Sequence, residues 1–369
     1  MEITEDLFNS VRQEKISGRY ITNDHIRDAL EDLSDRFSLK TIGYSVEERP
    51  IMSIEFGMGS QRILMWSQMH GNESTTTKAV LDLLRFLDSG NEMAVKLQSE
   101  CSLMILPILN PDGAKAYTRV NANKVDLNRD AQERTQPESV ILRTCFDQFK
   151  PNYCLNLHDQ RSIFNVGTTP KVATVSFLAP AHDTERSISK TRKESMQLIS
   201  AMNKTLQQFI PGQVGRYDDS FNPNCIGDTF QMQNIPTVLF EAGHYPDDYQ
   251  REHTRKYIFL ALLAGLGTIA QNMLDEFLYE AYFDIPQNGN RFFDILIKNP
   301  YLINPTKYGK TDVIGVLYTE TLEQETINFI PEIKEVGVLK GHFGHLELDC
   351  QDHQDILKLN TLGIYDKLI

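Results

Sequence analysis

Two hydrophobic rhythms alternate along this chain, one helical and one extended. Residues 22–37, TNDHIRDALEDLSDRF, place apolar side chains at helical spacing behind Thr22, an N-cap candidate. SLKTIGYSV, RPIMSIEFGMG and RILMWSQM are short β-like runs, and TTTKAVLDLLRFLDSG then reads as a helix stopped by Gly90. CSLMILPILN is a further apolar strand that runs directly into PDG. Beyond it come a helix across ESVILRTCFDQFK, strands in YCLNLHDQ and VATVSFLAP, and a long amphipathic helix in TERSISKTRKESMQLISAMNKTLQQF. IPTVLFEAG is one more strand, followed by a helix within 248–282. Strands that alternate with helices predict an α/β fold, a mixed sheet covered by helices.

The texture changes at Phe283. From there FFDILIKN, DVIGVLYTE, INFIP, GVLKG and HLELD read as short strands separated by Asn, Pro and Gly, with no long helical period. We therefore expect a catalytic domain over 1–284 and a small β-rich domain over 285–369, joined around IPQNGN. The most apolar stretch, Tyr257–Ala270, is too short to span a bilayer and is expected as a buried helix.

Composition narrows the partners. With 41% hydrophobic and 24% charged residues the chain reads as globular, and its net charge of −13 argues against a nucleic-acid surface and against docking to anionic membranes. Five scattered cysteines without a CxxC pair favour reduced thiols and a cytoplasmic location. The acidic N-terminus, MEITEDLFNSVRQ, lacks the apolar core of a secretory signal.

Candidate chemistry sits where strands end. SQM precedes His70, LNL precedes His158 and VLF precedes Glu241, and strand ends are where sites assemble in open α/β sheets. In HGNE, His70 and Glu73 lie three residues apart on a turn between strand and helix, so both can converge on one ion. Imidazole and carboxylate suit Zn2+, and His158 is the candidate third ligand. NPDG, at Asn110–Gly113, is explained by turn chemistry alone. TRVNANKVDLNRD gathers Arg119, Asp126, Asn128 and Arg129, and an arginine fork beside an amide donor is what gripping a carboxylate requires.

HGNE, NPDG, the Arg-x-Asn and DLNR series, a strand-end histidine and the glutamate of LFEAG, in this order, resemble the zinc carboxypeptidase (M14) family over roughly residues 16–282. The resemblance implies a mixed eight-stranded sheet between helices. It also implies one Zn2+ per chain held by His70, Glu73 and His158, with Asp126 orienting the first ligand histidine. By the same resemblance Asn128 and Arg129 grip the substrate's terminal carboxylate and Arg119 polarises the scissile carbonyl. Glu241 is then the general base that moves a proton from water to the leaving amine.

Some positions depart from the digestive branch of that family. The place of its covering tyrosine, 22 residues before the base, holds Asp219, so Tyr217 is the nearest candidate and Tyr245 the alternative. The place of its specificity residue, 15 before the base, falls on Ile226, an apolar residue that disfavours a basic terminal side chain, and His158 is followed by Asp159–Gln160. His244 is expected on a surface loop. The implied activity is a metallocarboxypeptidase acting on peptides with a free carboxylate. The rival reading is an amidohydrolase of N-acyl or modified amino acids, as in aspartoacylase and succinylglutamate desuccinylase, which share HGNE, a DLNR motif and a β-rich domain after the base. A non-catalytic binding module that kept the cleft is a second rival.

Overall fold

Alternation in the strands decides which side chains face which layer, and the computed structural model, which describes residues 3–369, shows the outcome. The chain opens with α1 (Glu5–Val11) and α2 (Asn23–Glu31), then forms β1 (Phe37–Tyr44), β2 (Pro50–Phe56) and β3 (Gln61–Ser67). Next come α3 (Thr75–Asp88), α4 (Glu92–Glu100), β4 (Cys101–Leu106), α5 (Pro111–Ala116) and α6 (Pro137–Phe149). They are followed by β5 (Tyr153–Asp159), β6 (Asn165–Val166), β7 (Val175–Leu178), α7 (Lys190–Leu206) and β8 (Val214–Arg216). α8 (Ile226–Met232), β9 (Thr237–Ala242) and α9 (Glu252–Ala270) complete the body.

Eight strands form one mixed sheet in the order β1-β2-β4-β3-β5-β9-β7-β8, as expected. Its centre is parallel, with β3 beside β4 and β5, and β5 beside β9. Because side chains alternate across a strand, Ile63 and Met65 of β3, Leu155 and Leu157 of β5, and Val238 and Phe240 of β9 point into one core. That core is closed by α3, α4, α7 and α9. The opposite face sends Leu64, Trp66 and Cys154 into a second core under α6 and α8. α9 is buried from Tyr257 to Ala270, which explains why its apolar residues surround the helix without forming a stripe.

After α9 the chain adds β10 (Asn288–Gly289), β11 (Phe292–Lys298), β12 (Val313–Glu323), β13 (Thr326–Gly337) and β14 (Phe343–Asp349), then α10 (His353–Thr361) and α11 (Tyr365–Leu368). β10 pairs with β6 and so stays attached to the body. The other four strands form a separate sheet, β13-β12-β11-β14, over a core of Ile295, Ile297, Ile314, Val316, Leu348 and Leu359.

The structure differs from expectation in places with local causes. α10 was not anticipated, because Leu359 is the one buried side chain in its nine residues, too little for a helical stripe. Neither was α4, where Asn91 caps the start by accepting the Met93 N–H at 2.9 Å. GVLKG is not a strand, since β13 stops at Gly337 and Val338 is exposed.

Inside the first core lies a charge pair out of contact with water. Arg255 of α9 donates from Nε and Nη2 to the two oxygens of Asp82 on α3, both at 2.6 Å, and both side chains are fully buried. Arg255 also pairs with Glu252 at 3.0 Å, so removing Asp82 leaves it short of its bidentate partner, at a cost of up to about 3–5 kcal/mol. We expect Asp82→Ala to lose stability by about that amount in urea unfolding, with little change from a substitution at an exposed pair such as Arg27–Asp24.

Candidate metal centre and substrate cleft

β3 has β4 on one side and β5 on the other, so the connections leaving β3 and β4 run in opposite directions and open a crevice at the carboxyl ends of the strands. His70 and Glu73 lie on the turn between β3 and α3, closed by the Glu73 N–H donating to the His70 carbonyl at 3.1 Å. His158 is in register with Glu241 on the neighbouring strand. Asn156 and His158 share one face of β5, as Leu239 and Glu241 share one face of β9, and all four line the cleft.

Backbone packing fixes the ligand turn. A Cβ on Gly71 would sit 1.9 Å from the Gly113 carbonyl carbon, so the glycines of HGNE and NPDG allow two backbones to touch. Asn110 holds the same contact from the other side, accepting from Gly113 N–H at 2.8 Å and donating to the Met69 carbonyl at 3.1 Å. NPDG is thus structural, and its asparagine caps α5. From β5, the Asp159 N–H donates to Glu73 Oε2 at 3.1 Å while its carboxylate accepts from Thr75 N–H at the start of α3. Arg251 donates to the carbonyls of Gln160 (2.9 Å) and Ala242 (2.6 Å), tying the ends of β5 and β9 together. Nothing in the pattern of apolar residues marked Asp159 or Arg251, because both act through backbone atoms.

His70, Glu73 and His158 converge. His70 Nδ1 lies 2.8 Å from Glu73 Oε1, His158 Nδ1 lies 2.9 Å from Glu73 Oε2, and the two Nδ1 atoms are 3.1 Å apart. One ligand atom from each lies within 4.8 Å of the others, a set able to hold a metal ion. The other nitrogen of His70, Nε2, lies 3.1 Å from Asp126 Oδ1. A proton on Nε2 shared with that carboxylate leaves the Nδ1 lone pair facing Glu73 and His158, the tautomer that ligation requires. The donors therefore fit a His2Glu zinc site.

Burial and charge oppose one another here. Burial alone would push Glu73 up, but His70 and His158 outweigh it and hold the carboxyl well below its usual range. Burial would lower His70 as well, and Glu73 with Asp126 reverse that effect and raise it. For His158 burial prevails and the ring is lowered. Glu241, buried beside the like charges of Glu73 and Asp159, is raised well above an ordinary carboxyl.

The cleft holds about 700 Å³ and brings His70, Glu73, His158, Glu241, Arg119, Asn128, Arg129 and Tyr217 together. Arg119 Nε donates to Asp126 Oδ2 at 3.1 Å and Nη1 to Glu73 Oε1 at 3.2 Å, leaving the guanidinium exposed at the rim. Asn128 accepts the Ile226 N–H on its oxygen at 3.0 Å, which keeps its NH2 available as a donor. Arg129 donates to the Asn128 carbonyl and contacts Cys225 Sγ, and no carboxylate pairs with it among the described residues. Tyr217 packs its ring edge-on against Phe164 at the cleft wall. Tyr245 instead stacks on His253, and Asp219 is held by Arg186 and Arg192.

Two expectations change. Ile226 does not line the cleft; its side chain is buried in the second core, and Gly227 and Asp228 face the cavity. His244 is not on a surface loop but buried, its ring between Tyr249 and His345.

A nitrogen–oxygen ligand trio, a buried carboxyl of raised pKa and arginines at one rim make an arrangement suited to metal-assisted hydrolysis. The family model "Zinc carboxypeptidase" matches residues 22–208, just over half of the chain, and the protein belongs to that family. Carboxypeptidase SOL1 of Arabidopsis thaliana is 27% identical over 217 residues, 52% of this chain and 44% of that protein. Carboxypeptidase 2 of Trichophyton rubrum is 29% identical over 102 residues, 27% of this chain and 19% of the relative. The chain thus spans less than half the length of these curated relatives. Among solved structures, a metallo-carboxypeptidase from Burkholderia cenocepacia shares the fold with a TM-score of 0.58 at 17% identity, over 69% of this chain and 70% of that one.

Asp126 supplies the measurable test of the ligand geometry. Asp126→Ala should weaken zinc binding about 10–100-fold, read by competition with a chromophoric chelator. Unchanged affinity would detach Asp126 from the site.

Proposed function

We propose that the protein is a zinc metallocarboxypeptidase that hydrolyses the C-terminal peptide bond of substrates with a free carboxylate. The observation that carries this reading is Arg129, a guanidinium without a carboxylate partner among the described residues, in the same cleft as the ligand trio and Glu241. His70, Glu73 and His158 would hold a zinc ion, which when bound would supply a Lewis acid and a water of lowered pKa. The protein supplies the rest. Asn128 and Arg129 hold the terminal carboxylate through an amide donor and a charged fork. Arg119, at the rim, donates to the oxygen on which negative charge develops. Glu241, made more basic by burial and by Glu73 and Asp159, takes a proton from water and returns it to the leaving amine. Tyr217 stands as a cover on the cleft wall. The five cysteines are all unpaired, which supports a reducing compartment, the cytoplasm.

Polar groups inside the cleft bear on the terminal side chain. Asp228 lines the cavity, and burial pushes its carboxyl up to about 7. Asn156, also lining it, has a buried side-chain oxygen without a donor. Two acceptors favour a cationic terminal residue, lysine or arginine.

Glu241→Gln should retain zinc and lose turnover by at least about 100-fold; full activity in that variant would remove Glu241 from the mechanism. The pH test follows from Asp228. Its raised pKa leaves it neutral below about 7, so KM for substrates ending in lysine should fall as pH rises through about 7. For substrates ending in phenylalanine KM should not follow that curve, and Asp228→Asn should abolish the difference. Equal KM profiles for the two substrates would refute the assignment.

A further inference from the structure

The far side of the reaction centre is built by a part of the chain that the family match does not cover. A second cavity of about 360 Å³ shares Glu73, Arg119, Asp159, Gln160 and Arg161 with the main cleft. Its outer wall comes from the β12–β13 hairpin: Leu317, Tyr318, Glu320 and Phe329. The hairpin is clasped onto the body. Glu320 pairs with buried Arg19 at 3.2 Å and accepts a hydrogen bond from Tyr117 Oη, while Leu322, Ile327 and Phe329 pack with Tyr20 and Tyr117. Tyr117 lies two residues before Arg119, so the hairpin grips the segment that carries the oxyanion donor. At the base of the same wall, Tyr249 Oη donates to buried Asp294 at 2.9 Å, with Tyr318 packed edge-on at 5.1 Å.

The main cleft is lined by no residue of this hairpin, and it holds Arg129. A substrate whose carboxylate meets Arg129 and whose scissile carbonyl meets Arg119 must therefore send its preceding residues towards the second cavity. We infer that the β12–β13 hairpin closes the upstream end of the cleft and restricts the enzyme to substrates with a short acyl portion, dipeptides and tripeptides first. An extended chain advances about 3.3–3.6 Å per residue, and the cavity is at the low end of what encloses one small ligand. A cavity of that volume leaves room for only a short segment before the chain meets Tyr318 and Phe329. The inference rests on the carboxypeptidase reading for the direction in which substrate lies, and the test separates the two.

The experiment uses the full chain loaded with zinc and a series of di-, tri-, hexa- and decapeptides sharing one C-terminal residue. C-amidated counterparts and N-acyl amino acids of increasing acyl length run in parallel. We expect kcat/KM to fall at least about tenfold from tripeptide to decapeptide, and to fall with acyl length as well. Tyr318→Ala combined with Phe329→Ala, and separately Glu320→Gln, should raise the ratio of long to short substrate several-fold. A ratio is read because it survives partial loss of folded protein. Decapeptides cleaved as fast as tripeptides, or ratios unmoved in both variants, would overturn the hairpin wall. Failure to cleave any free-carboxylate peptide, with N-acyl amino acids cleaved in an order set by acyl size, would overturn the carboxypeptidase reading and keep the wall.

Discussion

Two imidazoles and a carboxylate meet at about 3 Å at the floor of the cleft, largely buried, and the rest of the site follows from making that meeting possible. Each group has lost most of its solvent, and a shared cation or proton compensates all three at once. The protein sets the terms by fixing what surrounds them. Asp126 takes the outward nitrogen of His70, the Asp159 N–H takes one oxygen of Glu73, and the Gly71–Gly113 contact sets the depth of the turn. None of these depends on a long flexible side chain, so the geometry is held by parts with little entropy left to lose.

That arrangement explains which residues were legible in the sequence. His70, His158 and Glu241 follow apolar runs, and the period of two then decides their face: His158 with Asn156, Glu241 with Leu239. The central sheet was legible for the same reason. Ile226 was misplaced because counting back from the base ignores what the intervening segment folds into. That segment starts α8, where residues two apart point about 200° away from each other. Ile226 therefore turns to the core and Asp228 to the cavity. His244 carried no periodic signal, and its burial comes from β14, whose His345 covers it across about a hundred residues of sequence.

Arg251 joins the strand of His158 to the strand of Glu241 at the edge of the added domain. It stands at the start of α9 with a left-handed backbone and donates to both strand ends, one bearing His158 and the other Glu241. Burial, aided by Arg19, lowers its pKa to about 10, and it remains charged near neutrality. The two arginines repel across a short distance, and Asp159, Asp248 and Glu320 offset that repulsion.

Glu320 is the one of those three acids that belongs to the C-terminal hairpin. The added domain thus does more than cover a surface: it contributes a negative charge beside Arg251, which joins the strands carrying His158 and Glu241. A hairpin that drifted from the cleft would take away the nearest of the charges that offset Arg19, leaving Asp159 and Asp248 to compensate it beside Arg251. The hairpin thus meets the body at Arg19 and Tyr117, beside the arginine that ties the ends of β5 and β9.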